Sequence, residues 1–110
     1  MANARRGEIE AEIDGQKRVL CLTLGALAEL EQTLKAGNLV ELGERFARGR
    51  LAANDIIAII GAGLRGAGAA ISDREVASLR IEGGVGEWAR IAAELLQASF
   101  GQGEAEPPNP

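Results

Sequence analysis

The sequence predicts an α+β domain, with an N-terminal antiparallel β-hairpin packed against a bundle of four to five short α-helices. Three observations carry that expectation. Residues Glu8-Ile9-Glu10-Ala11-Glu12-Ile13 alternate strictly between acidic and apolar, the period of a half-buried strand. Asp14-Gly15 follows, a hairpin signal because glycine takes positive φ without steric penalty. From Thr23 onward, apolar residues recur at helical spacing and the segments are separated by glycines and capping residues.

The return strand is Lys17-Arg18-Val19-Leu20-Cys21-Leu22, and two registers are open. A three-residue loop would set Glu12 opposite Arg18 and Ala11 opposite Val19; a two-residue loop would pair Glu12 with Lys17. Two strands alone are marginal in water, so helices must cover their apolar face. The first helix is capped by Thr23, with Leu24, Leu27, Ala28, Leu30 and Leu34 turned inward, a Glu31–Lys35 pair outside, and an end near Gly37. Asn38 caps a second helix, with Glu41 in the reciprocal position and an apolar side of Leu39, Val40, Leu42 and Phe46. Glu41–Arg45 and Glu44–Arg48 are spaced as ion pairs, and Gly49 closes the helix.

The third helix starts around Asn54 or slightly earlier. Ile56, Ile57, Ile60 and Leu64 cover one side, with Ile59 at the edge, an arc wide enough to predict a central position. Ser72-Asp73-Arg74-Glu75 is a capping box that opens a short helix with Val76 and Leu79 inward, ended by Gly83-Gly84. The last helix spans about residues 85–100 and buries Trp88, Ile91, Ala92, Leu95 and Leu96, while Glu87, Arg90, Glu94 and Gln97 face water. Residues 7–100 form the predicted single domain. Residues 1–6 are expected to be a flexible N-terminus and 101–110 a disordered acidic tail.

Composition narrows the function. The chain has 110 residues, enough for one core, and that core is aliphatic because there are two Phe, one Trp and no Tyr. A net charge of −4 gives no electrostatic case for nucleic acid. No apolar run is long enough to span a membrane, and MANARRGEIE lacks the apolar segment of a secretory signal. The lone Cys21 excludes an internal disulfide framework and suits a cytoplasmic location; its place beside Leu20 and Leu22 reads as buried core.

Gly61, Gly63 and Gly66 spell G-x-G-x-x-G after an isoleucine-rich run, the outline of a dinucleotide-binding turn. That turn needs a strand before it and an uninterrupted helix after it. Here a new helix is capped at Ser72, so the glycines read as part of a helix and loop, with Gly63 allowing close packing. There is no histidine, the commonest general base and metal ligand. The Glu8/Glu10/Glu12 row reads as a solvated face, and so does the basic cluster of Arg45, Arg48 and Arg50. The residues therefore point to a non-enzymatic chain with no catalytic, cofactor or metal site.

Two segments carry a family resemblance. The run from Leu22 through Thr23, Ala26, Leu27, Ala28, Glu29, Leu30 and Glu31 resembles the strand-then-helix opening of gene-transfer-agent family proteins, small relatives of phage tail assembly chaperones. Ile56-Ile57 through Gly63-Leu64-Arg65, followed by Ser72-x-x-Glu75-Val76, resembles that family's apolar helix and re-capped short helix. Glu94-Leu95-Leu96 before Phe100 is similar to its closing helix, so the likeness covers roughly residues 8–100. It implies a tail assembly chaperone of a gene transfer agent or tailed prophage, acting in the cytoplasm and binding tape-measure and tail-tube proteins. The alternatives are a structural tail component retained in the particle and a small cytosolic nucleotide-binding module. The candidate partner-binding residues are Ile56, Ile59, Ile60 and Leu64 on the wide helix face, with Arg45 and Arg48. Self-association is left open.

Overall fold

A computed structural model describes residues 7–47 and 51–101. It shows the expected α+β architecture: strands β1 (Glu8–Ile13) and β2 (Gln16–Cys21), then helices α1 (Leu24–Thr33), α2 (Leu39–Ala47), α3 (Ala53–Gly66), α4 (Asp73–Val76) and α5 (Gly84–Leu96). A π-helical turn, Gln97–Gly101, extends α5. The expected flexible N-terminus (1–6), the Glu44–Arg48 pair, the helix end at Gly49 and residues 102–110 of the acidic tail lie outside the described residues.

The hairpin adopts the shorter loop. Ile13 pairs with Gln16 and Glu12 with Lys17. Asp14 and Gly15 both take positive φ, 57° and 81°, the turn whose twist matches that of paired strands. Ile9, Ala11 and Ile13 are buried while Glu10 and Glu12 face solvent, as the alternation requires. In β2, Leu20 faces inward, so its neighbour Cys21 points the other way and is half-buried, not the core residue expected. The turn is also tied to a distant loop, because the Asp14 amide donates to the Arg80 carbonyl (2.6 Å).

Thr23 caps α1 by accepting from the Ala26 amide (3.1 Å). Leu27, Leu30 and Leu34 are buried, but Leu24 and Ala28 are exposed and Ala26 takes an inward place. The helix stops at Thr33, before Gly37, because Lys35 adopts φ 57° and closes a reversed turn. The Ala36 amide bonds the Glu31 carbonyl (2.8 Å) and the Lys35 amide bonds that of Gln32 (3.3 Å). Lys35 thus leaves the helix surface, and Glu31–Lys35 is not among the ion pairs of the described residues.

Asn38 Oδ1 accepts from the Glu41 amide (2.9 Å), capping α2 as expected. The Glu41 carboxylate reaches the Gly37 amide (2.5 Å), so Arg45 turns elsewhere. Only half of the expected apolar side of α2 is covered: Leu42 and Phe46 are buried, while Leu39 and Val40 are exposed.

Helix α3 is the centre of the domain and packs against β2, α1, α4 and α5. From Asp55 to Leu64 every residue except Ile57 is buried. Its glycines explain how so many elements reach it. A Cβ on Gly63 would lie 2.5 Å from Leu95 Cδ2 on α5 and 3.2 Å from Leu20 Cβ on β2. One on Gly66 would overlap the Cys21 carbonyl oxygen, and one on Gly61 would overlap Asp73 Oδ1. All three glycines lie inside α3, so they do not form the strand–turn–helix of a dinucleotide site.

Ser72 and Glu75 form the expected reciprocal cap, with the Glu75 amide bonding Ser72 Oγ (3.1 Å) and the Ser72 amide bonding Glu75 Oε1 (2.9 Å). The short helix ends at Val76, well before Gly83-Gly84, which instead begin α5 with φ of 104° and 72°. Val76 and Ile81 are buried and Leu79 only half so. Ile91, Ala92, Leu95 and Leu96 of α5 are buried as expected, and Trp88 is half-buried against the core.

Candidate interaction surface

The apolar residues expected to meet a partner do not form a surface. Ile56 is 7% exposed, Leu64 1%, and Ile59 and Ile60 0%. The wide apolar arc of α3 is wide because the helix is packed on almost every side, so these four side chains are core. Arg45 is half-exposed and engaged within the domain. Its guanidinium donates to the Leu34 carbonyl (2.5 Å) and lies 3.7 Å from the nearly buried Asp55 carboxylate. Asp55 in turn accepts from the Ala52 amide (3.0 Å), so this pair fixes the start of α3 against α1 and α2. Arg48 lies outside the described residues.

An open apolar groove lies elsewhere, between α2 and the C-terminal half of α5, with a volume of about 840 Å³. Leu39, Val40, Gly43 and Ala47 form the α2 wall; Ala89, Ala93 and Leu96 form the α5 wall. Phe46, Leu51 and Phe100 line it as well, and Phe100 is placed by the π-helical turn beside Gly43. Gly43, Ala47, Ala89 and Ala93 are the small residues of the lining, set among the larger apolar side chains of Leu39, Val40, Leu96 and Phe100. Val40 is 69% exposed and Leu39 38%, apolar area that nothing in the described chain covers. Sequence reasoning missed this face because it grouped Leu39 and Val40 with Leu42 and Phe46 as a single apolar side of the helix. The signal was available in Leu39, Val40, Leu42 and Phe46 together, which cover more of a short helix than one buried stripe needs.

Arg65 and Arg90 have structural partners. Arg65, at the end of α3, bonds Glu29 of α1, the Ile71 carbonyl (2.9 Å) and Asp73 of α4 (3.0 Å). Burial opposes its charge, but the hydrogen bonds to Glu29 and the attraction of the Glu29 and Asp73 carboxylates outweigh that and raise its pKa. Asp73 Oδ1 is buried and near enough for the ion pair, but not aligned for a hydrogen bond. Arg65→Met is therefore expected to cost about 1–2 kcal/mol, since it strands that oxygen while removing two partly screened pairs. Urea unfolding at low and high salt checks this, and the gap between wild type and variant should narrow as salt rises.

On the outer side of α5, Arg90 bridges Glu87 (2.6 Å) and Glu94 (2.9 Å), in the arrangement expected for that face. The bond from Arg90 holds the Glu87 carboxyl below the ordinary glutamate range, against a smaller opposing effect of desolvation. Its contribution to stability is present above the unfolded-state pKa and lost as pH falls through the lower folded value. The Glu87 carboxyl should titrate below an ordinary glutamate by NMR, and Arg90→Gln should return it to that range.

Among the described residues no group of acidic, cysteine or histidine side chains could hold a metal ion, and no helix is long and apolar enough to cross a membrane. Neither a curated protein sequence nor a solved structure significantly matches the chain. One family model does, described as "Phage tail tube protein, GTA-gp10", and it matches residues 6–102. That span holds both segments of the resemblance, the Glu29–Arg65 bridge that joins them, and the whole α2–α5 groove, so the chain belongs to this family of phage and gene-transfer-agent tail proteins.

Proposed function

We propose that this chain is a tail assembly chaperone of a gene transfer agent or tailed prophage, and that it acts in the cytoplasm by binding a client without catalysis. The observation that carries the reading is the groove between α2 and α5, taken with family membership. An open trough lined by Leu39, Val40, Leu96 and Phe100, with small residues between them, suits the apolar face of a client helix, as in other helix-in-groove complexes. A long helical tape-measure protein would present such faces before a tube surrounds it. Holding them would keep it soluble while tube subunits assemble.

The second reading is a structural component retained in the tail, and the family's own description as tail tube protein favours it. A tube subunit must close rings head to tail, which requires complementary surfaces on two sides. A helper needs a site for one client, and the groove is the feature that supports this reading. Mass spectrometry of purified particles separates the readings. A helper is absent from finished particles, whereas stoichiometric recovery with the tube would overturn the proposal.

A further inference from the structure

The hairpin has a second open feature, the outer edge of β1. A two-residue turn closes on a hydrogen-bonded pair, here Ile13 with Gln16. Alternation then makes Ala11–Arg18 and Ile9–Leu20 the bonded pairs and turns the backbone N–H and C=O groups of Glu10 and Glu12 outward, away from β2. Among the described residues, neither makes a backbone hydrogen bond beyond the hairpin. Both are exposed, and neither joins an ion pair within the described residues. At the turn end, the Asp14 amide is already taken by the Arg80 carbonyl (2.6 Å), so the chain itself occupies the next position beside this strand.

We propose that the β1 edge is a docking site for an extended protein segment in which basic and apolar residues alternate. The charge selects the occupant. On the outer face Glu10 and Glu12 would stand opposite the added strand's residues and favour Lys or Arg there. On the inner face the added strand would continue the apolar row of Ile9, Ala11 and Ile13 beside α5, favouring Val or Ile. The same glutamates disfavour a second copy of β1, because pairing two identical edges brings carboxylates together. This site is distinct in place and chemistry from the α2–α5 groove and stands whether or not that groove holds a client.

The test is backbone amide exchange on the isotope-labelled chain, alone and with two peptides, Lys-Val-Lys-Val-Lys and Glu-Val-Glu-Val-Glu. In the free protein the Glu10 and Glu12 amides should exchange rapidly while those of Ile9 and Ala11 are protected. The lysine peptide should slow exchange at Glu10 and Glu12, and the glutamate peptide should not. The double variant Glu10→Lys, Glu12→Lys changes only exposed side chains and should reverse the preference, a change of roughly tenfold in relative affinity. Protection of Glu10 and Glu12 without peptide, equal response to both peptides, or an unchanged preference in the double variant would overturn the proposal.

Discussion

Gly66→Ala is expected to lose at least about 3 kcal/mol of stability, at the upper end of what overpacking costs. The added methyl would overlap the Cys21 carbonyl oxygen and lie 3.2 Å from its carbonyl carbon and 3.5 Å from the Thr23 amide nitrogen. These are backbone atoms at the junction of β2 and α1, so no rotamer change relieves the overlap and either α3 or the strand end must move. The gain in helix propensity from glycine to alanine, about 1 kcal/mol, is too small to compensate. Gly86→Ala in α5 is the matched control: no atom lies within 4 Å of the added methyl, so that variant should be neutral or slightly stabilised. Urea unfolding of the two variants beside wild type measures the difference.

Ile60→Ala should cost about 2–5 kcal/mol, whereas Val40→Ala should change stability by less than about 0.5 kcal/mol. The contrast decides what the isoleucine-rich helix is for. Ile60 is fully buried in α3, and truncation leaves a cavity that β2, α1 and α5 can only partly fill. Val40 is 69% exposed and loses little when shortened. Equal, small effects at both positions would mean that α3 is not the packed centre described here.

The elements most legible in the sequence were those fixed by local chemistry. Period-two alternation in residues 8–13 set the buried face of β1, Asp14-Gly15 set the turn, and Thr23, Asn38 and Ser72 each cap the helix they were expected to cap. The less legible features depend on what lies across the fold. Hairpin register required knowing the loop length. The early end of α1 depends on Lys35 accepting a left-handed conformation usually left to glycine, a cost of about 1–2 kcal/mol that residue type does not announce. The partners of Arg65, six residues or more away along the chain, became visible only when α1 and α4 were folded against α3.

The burial of Ile56, Ile59, Ile60 and Leu64 was not legible for a related reason. Hydrophobic periodicity reports how many sides of a helix avoid water, not which elements cover them. It therefore ranked the α3 face above α2, although α3 is enclosed on nearly every side and the shorter helix is left with exposed Leu39 and Val40. The Gly63-Leu64-Arg65 segment illustrates the same point. Gly63 admits Leu95, Leu64 is buried, and Arg65 joins α1 to α4, so each residue of this family-like motif has a packing or bridging role.

Co-expression with the tape-measure protein from the same tail locus measures whether the α2–α5 groove holds a helical tail-assembly client. Wild type should co-purify with that protein. Val40→Asp, which places a charge on an exposed groove wall without disturbing the core, should lose at least about tenfold in recovery while retaining its unfolding midpoint. Undiminished recovery with a folded Val40→Asp variant, or no association of the wild-type chain, would mean that the groove does not hold this client.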